Sequence, residues 1–376
     1  MTSPFLTPAP LRDLNWHRQH AAGLAPAQLR RAARKRQQRG DVRAARVYLE
    51  ALHHAAPDLD TALDLAALHR QCHEHARGIA LLSQACSLWP DRVDILHAMA
   101  ELAMLAKEYA LAAGLWARLV RLQGAAGVYP VLRAIACHRQ TGDDPAVTDL
   151  MDRCAASLRL GFPPPALELL RAGVGVPRPA PGLYMVTGNN GTGKTTLGHF
   201  LQAMGVQIID ADTEIAAFSM GEHWSVLRHD LTRGRPEAEA RTAWVWPVAR
   251  FEAACAAAGA SHRAVFVIGG FGQTVAPFAG RARHVFHLTA PTEVIARRLA
   301  RRGSPAHRPG TAGHAAALRR NARVARPDYP AKVLRADRSV WEICAEILDV
   351  LRGSGPCAGN VSRFAFDSVH APRILP

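Results

Sequence analysis

The sequence lacks the features of a chain that is inserted into a membrane or exported. It has no run of about eighteen uninterrupted apolar residues, and 1–10 holds no charged segment followed by a long apolar one. Its seven cysteines form no C-x-x-C pair and no set of close spacings typical of a disulfide framework. We therefore expect a cytoplasmic protein with reduced thiols and no membrane partner.

Acidic residues are scarce relative to basic ones. The chain has 31 Asp and Glu against 46 Lys and Arg, a formal net charge of +15 that attracts anions. The densest basic run, from Arg30 to Arg46, contains none of the aromatic side chains that stack on bases. It predicts a solvated helix face, and nucleic acid is not an expected partner.

A chain of 376 residues is too long for one ordinary core, so we expect two domains. The first half is rich in alanine and leucine with almost no strand-like alternation, which predicts helices. Proline and glycine then punctuate a short linker. The expected segments are a flexible N-terminal segment at 1–28, all-α repeats at 29–172, a linker at 173–181, an α/β nucleotide-binding domain with a mostly parallel sheet at 182–353 and a C-terminal tail at 354–376.

The helical half carries an internal repeat. Small residues recur at spacings of 33, 34 and 34, and a second small residue follows each of them twelve positions later. The two sets are Ala33, Ala66, Ala100 and Ala134, and Ala45, Gly78, Ala112 and Ala146. Pro57 and Pro90 close the first two units. Turns within the units are expected at 39–41, 72–74, 106–108 and 141–143.

This pattern resembles the tetratricopeptide repeat, in which small residues allow two antiparallel helices to pack closely. The resemblance implies a curved solenoid of helical hairpins, with a groove that binds a protein or peptide partner. An irregular helical bundle that serves as a stabilising cap is the alternative.

A phosphate-binding pattern organises the second half. Residues 188–196 match G-x-x-x-x-G-K-[ST], the P-loop pattern, in which backbone N–H groups and a helix N-terminus point at phosphate oxygens. Before it, 183–186 predicts a buried strand, and 196–204 after it predicts a helix. We expect ATP and Mg²⁺, with Lys194 at the transferred phosphate and Thr195 on the metal. The expected nucleotide-binding residues of the motif are Gly188, Asn189, Asn190, Gly191, Thr192, Gly193, Lys194, Thr195 and Thr196. An ordinary glycine turn is the alternative.

Two carboxylates follow the next apolar run, 206–209, and carboxyl ends of strands are where open α/β sheets bind ligands. We expect Asp210 to hold Mg²⁺ and Asp212 to accept the proton of the attacking hydroxyl. A purely structural role for Asp212, as the cap of a helix starting at Thr213, is the alternative.

Further along, a strand at 264–268 opens into a glycine loop, and a strand at 284–288 leads to an arginine-rich helix. Arg301 on this helix and Arg308 in the loop behind it suit a clamp that neutralises charge on a phosphoryl group. Three tryptophans, Trp224, Trp244 and Trp246, lie between the P-loop and these strands. They predict either an acceptor-binding pocket or a part of the hydrophobic core.

The order of features across 182–353 resembles the P-loop small-molecule and nucleotide kinases. The nearest in kind are the shikimate and adenylate kinases and uncharacterised bacterial nucleoside kinase-like ATP-binding proteins. The matching motifs are Asp210-Ala211-Asp212, Gly269-Gly270, Arg298-Leu299, Arg308-Pro309, and Arg326 before Tyr329. The resemblance implies that Gly269, Gly270 and Arg326 contact the substrate, that Arg298 lies near adenine, and that Arg308 belongs to a lid.

The sequence thus predicts an ATP-dependent kinase that acts on a small-molecule or nucleotide acceptor and carries a partner-binding repeat domain. Two alternatives remain open. One is a regulatory or scaffold protein in which nucleotide binding switches the repeats. The other is modification of nucleic acid, which predicts binding that weakens steeply with salt.

Overall fold

The structure is a computed structural model and describes residues 9–124, 128–173, 180–233, 236–259, 264–270, 272–301, 309–323 and 327–353. The tail expected at 354–376 and most of the linker lie outside these residues. We refer to residues 9–173 as the helical region and to residues 180–353 as the α/β domain.

The helical region consists of consecutive helices joined by short turns. They are α1 (Ala9–Ala22), α2 (Pro26–Gln38), α3 (Val42–Ala55), α4 (Leu59–Gln71), α5 (His75–Leu88), α6 (Val93–Leu105), α7 (Tyr109–Gln123), α8 (Val128–Thr141), α9 (Asp144–Arg153), α10 (Ala155–Gly161) and α11 (Pro164–Ala172). Helices α2 to α9 form hairpins, and all the expected turns within the units are confirmed, since each falls between the two helices of a hairpin.

Small residues pack the helices of each hairpin together. The side chains of Ala33, Ala66, Ala100 and Ala134 are buried, and so are Ala45 and Ala112 from the second set. A Cβ on Gly78 would lie 3.4 Å from His69 Cβ of α4, in the same hairpin, and 2.8 Å from Leu102 Cδ1 of α6, in the next hairpin. The period in the sequence therefore marks buried positions that pack against neighbouring helices.

The N-terminal segment differs from the expectation. Residues 1–28 were expected to be flexible, but Ala9–Ala22 is a helix and α2 begins at Pro26. Leu14 and Ala21 are buried against the first hairpin, and His17 Nδ1 lies 2.8 Å from the Tyr48 hydroxyl. Helix α1 therefore covers the end of the hydrophobic core that the first hairpin would otherwise expose.

The α/β domain alternates strands and helices. Its elements are β1 (Gly182–Gly188), α12 (Lys194–Ala203), β2 (Gln207–Asp210), α13 (Ala211–Glu214), β3 (Ala217–Met220), β4 (His223–Ser225), α14 (Arg228–Thr232), α15 (Pro236–Arg241), β5 (Ala243–Val245), α16 (Val248–Gly259), β6 (Ala264–Ile268), α17 (Ala276–Ala279), β7 (His284–Thr289), α18 (Thr292–Arg301), α19 (Ala312–Arg323), β8 (Lys332–Arg335) and α20 (Val340–Gly353).

The main sheet has five strands in the order β2-β6-β1-β7-β8, and the neighbouring strands pair in parallel. The central strands β1 and β6 are buried almost throughout, as their apolar sequences require. A smaller antiparallel sheet, β4-β3-β5, lies between β2 and β6 along the chain. The expected combination of a helical region with a mostly parallel α/β domain is confirmed.

The two parts share one hydrophobic core, which runs from α6, α7 and α8 into α12 and β1. Helix α8 packs on α12, where Arg133 donates to Gln202 Oε1 at 3.0 Å and Gln140 Nε2 donates to the Val206 carbonyl at 3.1 Å. Arg43 of α3 also reaches Asp230 in α14 at 3.1 Å. Helices α3, α6, α7 and α8 of the helical region therefore contact the protein's own α/β domain. Binding of a protein or peptide partner by the hairpins stays a prediction.

A search of the described helices for one long and apolar enough to cross a membrane finds none.

Candidate functional site

The glycine loop, residues 188–193, joins β1 to α12 at the carboxyl edge of the sheet. Gly188, Gly191 and Gly193 have φ values of 141°, 84° and 97°, a region that side chains disfavour. A Cβ on Gly188 would lie 2.5 Å from the Leu288 carbonyl oxygen. The loop backbone therefore requires glycine at the positions where the sequence has it.

Side chains within the loop hold it in this conformation. The Lys194 ammonium donates to the carbonyls of Gly188 at 2.6 Å and Asn189 at 3.0 Å. The Thr192 hydroxyl donates to the Asn189 carbonyl at 2.8 Å. Asn189 itself is buried, and its amide donates to the Ala317 carbonyl of α19 at 2.9 Å. The Asn189 side chain is thus an anchor of the loop and does not face the ligand side.

The loop borders a cavity of about 520 Å³, which we call the loop cavity. Arg298 and Arg301 of α18 line one wall, and 336–343 at the start of α20 lines another. Thr195 and Thr196 are exposed toward it at the N-terminus of α12. Its size falls within the range of small-molecule sites. Three arginines line it, of which Arg338 is paired with Glu346. Backbone donors, a lysine and the remaining two arginines fit a nucleoside triphosphate.

Asp210 and Asp212 lie beside the loop, as expected. Asp210 pairs with Ile268, which in turn pairs with Val186, so Asp210 is level with the end of β1. Its Oδ1 accepts the Asp212 backbone N–H at 3.0 Å and caps α13. The capping role considered for Asp212 therefore belongs to Asp210, while Asp212 is exposed and lines the loop cavity.

The environment of Asp210 favours its neutral form. Burial and the nearby Asp212 carboxylate raise the pKa of Asp210 to about 6, against the opposing effects of backbone hydrogen bonds and of Arg70. A divalent cation beside this carboxylate would favour its ionised form and offset the repulsion from Asp212.

The fit to Mg²⁺ rests on the donor set. Thr195 and Asp210 both line a second cavity, described below, and Thr195 also lines the loop cavity. Oxygen donors of this kind suit Mg²⁺, which also keeps several waters and phosphate oxygens. Within the described ranges no group of three or more His, Cys, Asp or Glu side chains could hold a metal. The residues thus fit a metal bound together with a nucleotide.

Gly269 and Gly270 follow β6, next to the loop. A Cβ on Gly269 would lie 3.0 Å from Ala211 Cβ and 3.4 Å from Asp212 Oδ1, so glycine at 269 allows the end of β6 to lie close to the start of α13. A Cβ on Gly270 would lie 2.7 Å from Trp246 Cζ2. Packing against Trp246 therefore explains why residue 270 is glycine, and the expected contact of Gly270 with substrate stays a prediction.

Of the four expected arginines, the structure describes Arg298 and Arg301. Arg298 Nη1 donates to the Thr192 carbonyl at 3.2 Å, so this side chain lies directly on the glycine loop. Arg301 is exposed at the end of α18 and faces the same cavity. Arg308 and Arg326 lie outside the described residues. Tyr329, which follows Arg326, is buried and donates to Thr187 at 3.1 Å.

The tryptophans of the intervening segment have different roles. Trp246 is buried between Phe251 and Phe278, as the core interpretation predicts. Trp244 is 40% exposed and packs edge-on against Phe218 of the small sheet. Trp224 lies under the Arg250 guanidinium at 5.7 Å. Of the three tryptophans, Trp246 thus belongs to the core, and Trp244 leaves part of its ring exposed on the small sheet.

Sequence reasoning missed a second cavity, of about 330 Å³, between the helical region and the α/β domain. Arg70, Glu101 and Arg133 line it from the helical side, and Thr195 and Asp210 from the other. The repeat period fixed the position of each of these helical residues within its hairpin. No local signal indicated that this face meets the phosphate-binding edge of the sheet.

No family model matches this chain, and no curated protein matches it significantly. Functional inference therefore rests on the geometry of the site.

Proposed function

We propose that the protein is an ATP-dependent kinase that transfers the terminal phosphoryl group to a hydroxyl of a small-molecule or nucleotide acceptor. The observation that carries the proposal is the glycine loop with Lys194 at the start of α12, opening into a cavity lined by Arg298, Arg301 and Asp212 among others. A pure nucleotide switch needs no exposed carboxylate at that position, whereas a transferase needs one to orient its acceptor.

In this proposal the chain positions the reactants and neutralises charge. The backbone N–H groups of the loop and the Lys194 ammonium bind the phosphates, and Arg298 and Arg301 stabilise negative charge on the transferred group. Apolar side chains at 336–343 border the base. When bound, Mg²⁺ at Thr195 and Asp210 supplies further positive charge to the phosphate oxygens. The Asp212 carboxylate orients the acceptor hydroxyl and takes its proton.

The test is transfer of label from ATP·Mg²⁺ by the full chain to a panel of nucleosides, nucleotides and small hydroxy acids. Lys194→Ala is the blank. We expect a labelled product that the blank lacks. Asp212→Asn should lower turnover about 10²- to 10⁴-fold and leave ATP affinity unchanged. Asp149→Asn makes the same change on the exposed surface of α9 and should leave turnover as it is. Unchanged turnover in Asp212→Asn would remove this residue from catalysis.

A nucleotide-gated scaffold is the second candidate. The observation that favours it is the packing of α12, which begins at the loop lysine, against α8. Nucleotide binding at the N-terminus of α12 would then bias the position of the hairpins. Tight ATP binding without product from any acceptor, together with altered hydrogen exchange in α8 on adding nucleotide, would favour this function over the kinase.

A further inference from the structure

The cavity between the helical region and the α/β domain, here the interdomain cavity, is large enough for a small metabolite at about 330 Å³. Its helical wall is built by α4, α6 and α8, the first helices of successive hairpins. They contribute Arg70, His97, Glu101, Tyr129 and Arg133. The opposite wall comes from α12, β2 and α13.

Most charges in this cavity are already paired. Arg133 Nε lies 3.4 Å from Glu101, which also accepts the Tyr129 hydroxyl at 3.0 Å. Lys107 lies 3.7 Å from Glu214. These pairs are internal to the walls, so neither adds a net charge for a ligand to neutralise.

Arg70 and Asp210 are the charged residues of the lining that belong to neither pair. Arg70 is exposed at the end of α4, and among the described residues no carboxylate lies within ion-pairing distance of it. Its charge nevertheless acts on groups in the cavity. Burial raises the pKa of both Asp210 and Tyr129, and the positive charge of Arg70 partly opposes this rise. A guanidinium in this position, planar and with several donors, suits a carboxylate or phosphate of a ligand.

Thr195 lines both the interdomain cavity and the loop cavity. A molecule in the interdomain cavity would therefore approach the terminal phosphate of a nucleotide in the loop cavity at this residue. Aromatic and apolar side chains, among them Tyr129, Met104 and Ile208, cover the rest of its wall and would contact the carbon skeleton of such a molecule.

We propose that the phosphoryl acceptor binds in the interdomain cavity and that it is a small hydroxylated anion whose carboxylate or phosphate is held by Arg70. The inference rests on the proposed kinase function. The acceptor hydroxyl, entering the loop cavity past Thr195, forms a bond from its oxygen to the terminal phosphorus, and the bond from this phosphorus to the bridging oxygen of ADP breaks. The hydroxyl proton passes to Asp212, which lines the loop cavity together with Thr195. The helical region is then half of the active site, because without it the acceptor has no binding wall.

The test measures binding and turnover separately in the full chain. Calorimetry is run with a non-hydrolysable ATP analogue and Mg²⁺ present, and the probes are glycerol 3-phosphate, glycerate, ribose 5-phosphate and AMP, with glycerol as the uncharged counterpart. The variants are Arg70→Gln and, as matched control, Arg121→Gln, which removes an exposed arginine on α7 that does not line the cavity.

We expect at least one anionic probe to bind the wild type and Arg121→Gln alike, and Arg70→Gln to weaken its binding at least 10-fold without changing the affinity for the ATP analogue. Equal binding of that probe by Arg70→Gln, or no binding of any anionic probe, would overturn the inference. Binding that depends on Arg70 without labelled product would refute the kinase while supporting the cavity as a site for anions.

Discussion

At the scale of single residues, the glycine loop is determined by backbone strain. Gly188 combines a φ of 141° with a carbonyl oxygen, that of Leu288, at the place where a side chain would begin. Backbone atoms cannot move aside as a flexible side chain can. Position 188 is therefore restricted to glycine by the fold, independently of any nucleotide.

We predict that Gly188→Ala lowers the free energy of unfolding by about 1–3 kcal/mol, because the new methyl group is strained in φ and clashes with that carbonyl. Gly114→Ala is the control, since a Cβ there meets nothing within 4 Å on an exposed face of α7. It should raise stability by up to about 1 kcal/mol. Urea unfolding measures both, and a neutral Gly188→Ala would show that the loop can relax.

At the scale of elements, the hairpins depend on small residues where two helices cross. Ala100 on α6 has no exposed surface, and it belongs to the core that continues into the α/β domain. Larger side chains at such positions push the two backbones apart, and close packing leaves no space to absorb the change.

Ala100→Leu should therefore cost about 1–3 kcal/mol of stability through overpacking. The same change at Ala110, exposed on α7, should stay within about 0.5 kcal/mol. Thermal or denaturant unfolding of the two variants distinguishes the cases. Equal effects would mean that the period in the sequence does not mark helix contacts.

At the scale of the whole molecule, a partly buried polar cluster joins the two parts. Arg133 is 4% exposed and contacts Glu101 of the neighbouring hairpin and Gln202 of α12. His199 of α12 packs edge-on against Tyr129 in the same cluster. Because these groups are shielded from water, each depends on its partners across the interface.

Removing the Arg133 guanidinium while keeping the Glu101 carboxylate should lower the stability of the fold. We predict that Arg133→Met lowers stability by about 3 kcal/mol, because it leaves the Glu101 carboxylate without its buried partner. Adding Glu101→Gln should recover part of this loss, so that the double variant is more stable than the sum of the single changes predicts. Strict additivity in denaturant unfolding would argue against the pair.

His199 gives the interface a dependence on pH. Burial and the charge of Arg133, opposed by Glu101, lower the pKa of His199 from 6.5 to about 4. Between these values the unfolded chain binds a proton at His199 that the folded chain does not, so stability falls as pH drops from 6.5 to 4. His199→Gln should flatten this dependence by up to about 1.4 kcal/mol per pH unit, and an unchanged slope would contradict the assignment.

The sequence by itself determined the local structure. The spacing from Ala33 to Ala134 indicated the hairpins and their turns, because packed helix pairs need small residues at fixed intervals. The pattern from Gly188 to Thr196 indicated a strand, a strained loop and a helix, because glycine is required where φ is positive. The strand ends that bring Asp210 and Asp212 to the loop followed from the same reasoning, since carboxyl ends of parallel strands share one edge.

Only the tertiary structure decided what the hairpins face. Contacts such as Arg133 with Gln202 join residues far apart along the chain, and their formation depends on how two separately packed surfaces dock. The same docking places Arg70 and Asp210 on the walls of one cavity beside the glycine loop. Tertiary packing likewise explains why residue 270 is glycine, since a Cβ there would clash with the Trp246 ring. Periodicity reports how a helix packs within its own hairpin but not which other domain covers its remaining face.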